Sequence, residues 1–171
     1  DSKKILEIMK NKEIPIIAGF QGIDENNNIV TLGRGGSDTS AVAIAASISA
    51  DRCDIYTDVD GIYTCDPRIV SKAKKLNKIS YEEMLEFASL GAKVLQTRSV
   101  EMAMRHNVTV QVLSSQTGQK GTFLIKEDKK MENELVSGIA YTKDEANITL
   151  INISDNPGVA AKIFIPLSKK N

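Results

Sequence analysis

The sequence predicts an α/β three-layer sandwich with a mainly parallel sheet. Short apolar runs rich in β-branched residues alternate with longer helical patterns over residues 1–126. The connections between them are short, as strand–helix units require. Two of those connections, a glycine-rich loop after Leu32 and an aspartate-rich turn after Thr57, directly follow strands. Open α/β sheets bind their ligands at such carboxyl ends.

Taken in order, residues 5–9 read as the end of a helix. Ile14-Pro15-Ile16-Ile17-Ala18-Gly19-Phe20 is a short apolar run expected to form a buried strand. Asp24-Glu25-Asn26-Asn27-Asn28 is a polar turn, and residues 29–32 are a second strand. The glycine loop then leads into a helix over residues 40–50, whose Ala, Ile and Val suit tight packing on a sheet, with Ser37 or Asp38 as its N-cap. Residues 53–57 are a strand and 58–68 are rich in turns. Residues 81–89 form a helix with Met84, Leu85 and Ala88 on one side, stopped by Gly91. A further helix spans residues 93–105, and strands follow at 108–113 and 122–125.

Residues 126–134 are charged and nearly devoid of apolar side chains, which sets a linker at 127–135 between a first domain, 1–126, and a second, 136–171. In the second, strands are expected at 136–141 and 148–153, then the turn Asp155-Asn156-Pro157-Gly158 and an apolar stretch over 159–167, with Pro166 poorly placed for a helix interior. A strand–turn–helix cannot bury its own faces, so this second domain is expected to be incomplete. The chain starts without Met, which suggests an internal fragment.

Composition narrows the function. Lys plus Arg balance Asp plus Glu at 22 each, so no net field attracts nucleic acid or an anionic membrane. With no Trp and 5% aromatics there is no stacking surface for single strands. No apolar run reaches the roughly 18 residues of a membrane span. Cys53 and Cys65 are the only cysteines, too few for a disulfide framework and too far apart for a zinc site without His partners. They read as two buried thiols in a reducing cytoplasm. His106, the only histidine, falls near a helix end, where a partly positive imidazole suits the dipole.

Two segments carry the chemistry. In Gly33-Arg34-Gly35-Gly36-Ser37-Asp38, glycines precede a helix N-terminus. Such a loop lets a ligand approach the backbone, and the first helical turn offers N–H donors to an anion. Arg34 adds a fork for carboxylate or phosphate, and Asp38 can hold an ammonium group. The segment lacks the Gly-Lys-Ser/Thr ending of a P-loop and the third glycine of the dinucleotide fingerprint. It also reads as a tight strand–helix turn with a solvated arginine and a capping aspartate. The second segment is Tyr56-Thr57-Asp58-Val59-Asp60-Gly61-Ile62-Tyr63-Thr64-Cys65-Asp66-Pro67-Arg68. An EF-hand would need an acid at Tyr56 and a glutamate at Pro67. What remains is either a pair of Asx-stabilised turns or a nucleotide pocket, with backbone groups reading the base, Tyr63 covering the nucleoside and Arg68 reaching a phosphate.

Together, residues 31–39 and 56–68 closely resemble the aspartate kinases of the amino-acid kinase superfamily. Gly91-Ala92-Lys93-Val94-Leu95 and the Gly-Phe-Gln-Gly of residues 19–22 match two further blocks, so the resemblance covers nearly the whole chain. The second segment is shared with uridylate and glutamate kinases, whereas Gly-Arg-Gly-Gly-Ser-Asp-Thr-Ser points to aspartate. The resemblance implies the amino-acid kinase fold and transfer of the γ-phosphoryl of ATP, with Mg2+, to the β-carboxylate of L-aspartate. It implies that Arg34 binds a substrate carboxylate, with Ser37 and Asp38 holding the amino acid. It also implies that Gly35, Gly36, Thr57, Asp58 and Val94 line the nucleotide, Tyr63 packs on the nucleoside, and Arg68 and Lys93 reach phosphates. Many members have His-Pro where this chain has Gln96-Thr97, a change expected to alter a helix start. The family's Lys-Phe-Gly-Gly block, with its catalytic lysine, is absent from these 171 residues, so the chain alone is expected not to turn over. Residues 137–164 resemble the opening of an ACT domain, which in this family pairs between chains, implying a homo-oligomer, and binds end products such as lysine or threonine. The competing expectations are a non-catalytic regulatory or dimerisation piece and a kinase of glutamate or uridylate type.

Overall fold

A computed structural model of the chain describes residues 2–92, 94–127, 136–141 and 157–169, the side chain of Ile163 excepted. Helix α1, Ser2–Lys10, leads to a two-stranded antiparallel hairpin of β1, Gln21–Ile23, and β2, Ile29–Thr31. Asp24 closes its turn, accepting from the Asn26 and Asn28 amides at 2.9 and 2.8 Å. Helix α2, Gly36–Ser47, then delivers the chain to β3, Cys53–Thr57. After a long loop come β4, Lys78–Ser80, α3, Tyr81–Ser89, and α4, Thr97–His106. The body closes with β5, Val110–Ser114, and β6, Thr122–Ile125.

The main sheet has the order β3-β5-β6-β4, with β3–β5 and β4–β6 parallel and β5–β6 antiparallel. Helix α4 lies against both α2 and α3, forming a helical layer on the sheet. Its core brings together Val42 and Ala45 of α2, Met84 of α3, Val100 and Ala103 of α4, and Ile55, Val110, Val112, Leu124 and Ile79 of the strands. All five residues of the central β5 are buried, polar Gln111 and Ser114 included, so both of its faces are covered. The Tyr81 hydroxyl spans this layer and donates to the Val108 carbonyl at 2.9 Å.

Helix α3 carries a full capping box. Ser80 Oγ accepts from the Glu83 amide, and the Glu83 carboxylate accepts from the Ser80 amide at 2.9 Å. Gly91, at φ 102°, ends the following turn as expected. Helix α4 begins at Thr97, four residues later than the sequence suggests. Its first bonds run from Ser99 and Val100 back to the carbonyl of Gln96, which is extended. His106 closes α4, where its placement near the helix end is borne out.

Three expectations fail. Residues 14–20 form no strand. Ile14 and Ile16 are 89% and 97% exposed, Pro15 has no amide to donate, and Phe20 turns left-handed at φ 67°. Residues 136–141 form no strand either. They lie along α3 and the long loop, where the Ile139 amide donates to the Thr64 carbonyl at 2.7 Å and the Ser137 hydroxyl bonds Glu83. A Cβ on Gly138 would overlap the Phe87 ring, so only glycine lets this strap lie so close. Of the two thiols expected to be buried, Cys53 is buried but Cys65 only partly. Helix α5, Val159–Ser168, runs through Pro166, which sits in its last turn. The strand expected at 148–153, most of the linker, and Asn156 of the preceding turn lie outside the described residues.

Candidate active site

The sheet register determines which loops meet. Thr57 of β3 pairs with Ser114 of β5, and Thr122 pairs with Val112, so the ends of β3 and β5 and the start of β6 share one edge. The parallel β4 starts at that same edge, which puts the start of α3 at the far end and its last turn back at the near one. The glycine loop, the end of α3 and the start of α4 are joined by a cleft of about 450 Å³, lined by Arg34, Ala88, Gly91, Ala92, Leu95, Gln96 and Thr97.

The glycine loop is shaped by two left-handed residues, Gly33 at φ 76° and Gly35 at φ 71°. A Cβ on Gly35 would overlap the Gln96 side chain, so glycine is what lets the loop lie on the start of α4. The N-cap of α2 is Gly35, in place of the expected Ser37 or Asp38. The turn closes early, with the Gly36 amide on the Gly33 carbonyl and the Thr39 amide on the Gly35 carbonyl. Ser37 and Asp38 therefore stand in the first helical turn, with Ser37 Oγ 3.5 Å from Asp38 Oδ1. Burial pushes the Asp38 carboxyl above its ordinary pKa, against the hydrogen bond from Ser37. Arg34 is exposed at the mouth of the cleft.

The second loop follows β3. The Thr57 carbonyl accepts from the Ser115 amide at 2.9 Å and from its hydroxyl at 3.2 Å, while Thr57 Oγ1 donates to Asp58 at 3.0 Å. Asp60 anchors the next turn, accepting from the Tyr63 hydroxyl at 3.0 Å and from Lys75 Nζ at 3.3 Å. Burial opposes ionisation of Asp60, but those two donors together hold its carboxyl below the usual range. Thr122 fastens the loop to the sheet: its Oγ accepts from the Ile62 amide at 2.8 Å and donates to the Leu76 carbonyl at 2.6 Å. Further on, Asp66 takes the Arg68 amide and guanidinium, with Nη2 to Oδ2 at 2.8 Å. That arginine holds the Asp66 carboxyl below its ordinary value.

The structure thus places Thr57, Asp58, Tyr63 and Arg68 on the loop after β3, and Arg34, Gly35 and Gly36 on the loop between β2 and α2. Of these, Arg34 lines the cleft, and the four residues after β3 do not. Val94 is half-buried and packs on the core. Lys93 lies outside the described residues. Sequence reading missed Gln96 as a floor for Gly35 and Arg98 as a partner of the loop. It also missed the Asp60–Lys75 pair and Thr122. For the cap of α3 a signal existed, the Ser-x-x-Glu spacing of Ser80 and Glu83. For Thr122 there was none, because the bond spans 60 positions.

Residues 1–114 match the profile of the Amino acid kinase family. The chain belongs to that family. Over its whole length it is 54% identical to the aspartate kinase of Pseudomonas putida, and it spans 42% of that relative. Its fold superposes with a TM-score of 0.68 on E. coli aspartokinase III solved with aspartate and ADP, at 40% identity, covering 75% of this chain and 29% of the other. The same E. coli enzyme solved with lysine and aspartate gives a TM-score of 0.66. The chain therefore accounts for less than half the length of the curated relatives it matches, and it has the fold of this kinase family, a mixed and mainly parallel sheet with helices packed against it.

Proposed function

We propose that the whole protein is an ATP-dependent aspartate kinase and that this chain supplies its nucleotide-holding part. The observation that carries the reading is a pair of loops of different chemistry at the two ends of one α/β unit, one leading into α2 and the other leaving β3, the strand that α2 feeds. One offers a guanidinium and a helix N-terminus, suited to a small dianionic amino acid. The other offers strand-end backbone, an aromatic ring and a second guanidinium, suited to a nucleoside triphosphate. The names and bound ligands of the relatives support this pairing.

In this reading Arg34 binds a carboxylate of L-aspartate while Ser37 and Asp38 meet its ammonium group. Deprotonated Asp38 gives the ammonium a counter-charge. Gly35 and Gly36 admit the phosphates to the backbone. Thr57 and Asp58 line the nucleoside, Tyr63 packs on it, and Arg68 and Lys93 neutralise phosphate charge, which is the main demand of phosphoryl transfer. Arg68 serves this role from its ion pair with Asp66, which fixes the guanidinium on the loop. A Mg2+ carried on the phosphates of ATP would screen their charge. The domain division at 127–135, a lysine or threonine effector at a complete ACT domain, a homo-oligomer and a cytoplasmic location belong to the same proposal.

Titration with Mg-ATP tests it. The protein should gain thermal stability saturably, and Arg68→Ala should abolish the gain. The whole protein should form aspartyl phosphate, trapped as the hydroxamate, and the 171-residue chain by itself should form none. Absence of any nucleotide-dependent shift in the whole protein would favour the non-catalytic reading.

A further inference from the structure

We infer that Arg98 is a positioning residue that holds the glycine loop in its ligand-binding shape, an inference that rests on reading that loop as the aspartate site. Arg98 lies in the first turn of α4, where a cation opposes the helix dipole. It makes no ion pair among the described residues. Its partners are two backbone carbonyls of the glycine loop. Nη2 donates to Leu32 O at 2.6 Å and to Arg34 O at 2.9 Å. These carbonyls flank Gly33, and a Cβ placed there would stand 3.8 Å from the same nitrogen.

The loop needs such a hold. Gly33 and Gly35 are both left-handed, and glycine samples that region and its mirror almost equally. Nothing in their own side chains selects one shape. Arg98 fixes the carbonyls on either side of Gly33, and Gln96, two residues earlier, presses on Gly35. One helix start therefore grips the loop at two points. The second carbonyl it holds is that of Arg34, so the clamp fixes the backbone from which the Arg34 side chain enters the cleft. Arg98 sets affinity for a carboxylate substrate without touching it.

The test compares Arg98→Met, which keeps length and loses the donors, with Arg98→Lys in the whole protein. Both clamp bonds come from one nitrogen, so an ammonium can replace it. Arg98→Met should raise KM for aspartate roughly tenfold, the scale of a lost charged hydrogen bond, with kcat little changed and a smaller rise in KM for ATP, since the clamp holds the carbonyls around Gly33 and not those of Gly35 and Gly36. Arg98→Lys should recover most of that loss. Hydrogen exchange over residues 33–36 should quicken in Arg98→Met and return in Arg98→Lys. Unchanged exchange there overturns the inference, as does a loss shared equally by both substrates or a fall in kcat alone. A wild-type protein that does not phosphorylate aspartate would sink the reading of the loop instead, and exchange at residues 33–36 would then decide the clamp by itself.

Discussion

At the scale of single residues, Arg34 is the side chain on which the proposed chemistry most depends, because among the described residues it alone brings a positive charge to the lining of the cleft. Arg34→Ala should raise KM for aspartate by roughly one to two orders of magnitude, the range for loss of a charge-assisted bond, with overall stability unchanged since the side chain is exposed. Steady-state kinetics at varied aspartate measures it. The two thiols make a second residue-scale prediction. Burial foremost, then the nearby charges of Asp54 and Asp38, pushes the Cys53 thiol up to about 11. Thiolate is the reactive form, so Cys53 should stay unmodified by iodoacetamide at pH 8 while the more accessible Cys65 labels first, as peptide mapping would show. Residue types near the ligand edge were legible because glycine, arginine and aspartate announce themselves in a short segment. Arg98 was not, since a lone arginine in a helix gives no sign that its partners are carbonyls more than 60 positions back.

Among the elements, α3 shows how local signals and a distant contact combine. Its capping box is readable as Ser-x-x-Glu, but the Glu83 carboxylate is also held by Ser137 of the strap. Burial works against the charge, yet the bonds from Ser137 and from the Ser80 amide and hydroxyl outweigh it and lower the Glu83 pKa. A depressed carboxylate pKa gives stability that is fully present above the unfolded value and is lost as pH falls through the folded one. Urea midpoints measured from pH 6 down to pH 3 should therefore fall more steeply in wild type than in Glu83→Gln. Ser80→Ala, which removes the cap, should cost about 1 kcal/mol at neutral pH. The boundaries of β3, α3 and β6 were all legible, because strong periodicity meets sharp turn residues there. The start of α4 was not. Residues 93–96 keep a helix-like apolar pattern, but the chain stays extended at Gln96 and the helical bonds begin only beyond it.

Across the whole molecule, the alternation of strands and helices along the chain was legible, but the strand before the glycine loop belongs to a separate antiparallel hairpin and not to the main sheet. The mixed character of the sheet was not implied. The turn at residues 115–121 reverses β6 against β5, and only the register reveals that Thr122 comes back to the ligand edge. The misplaced strand at 14–20 has a plainer cause. Apolar composition identifies a segment that favours burial, but a strand also requires a ladder of bonds to a neighbour, and among the described residues it makes none beyond the Phe20 carbonyl, which accepts from the Leu32 amide at 2.9 Å. The core itself should behave as a tightly packed unit: Met84 is fully buried on α3, which packs against α4 and the sheet, so Met84→Ala should cost roughly 2–5 kcal/mol in chemical denaturation.

The hydroxyl of Thr122 carries this point into protein engineering. A threonine on the last strand fastens the loop proposed to hold the nucleotide, from a position sixty residues removed and in contact with no ligand in that proposal. Exchange for the isosteric valine would keep the shape of the core and release the loop. The working speed of a nucleotide pocket can thus be tuned from a strand that an active-site library would never sample.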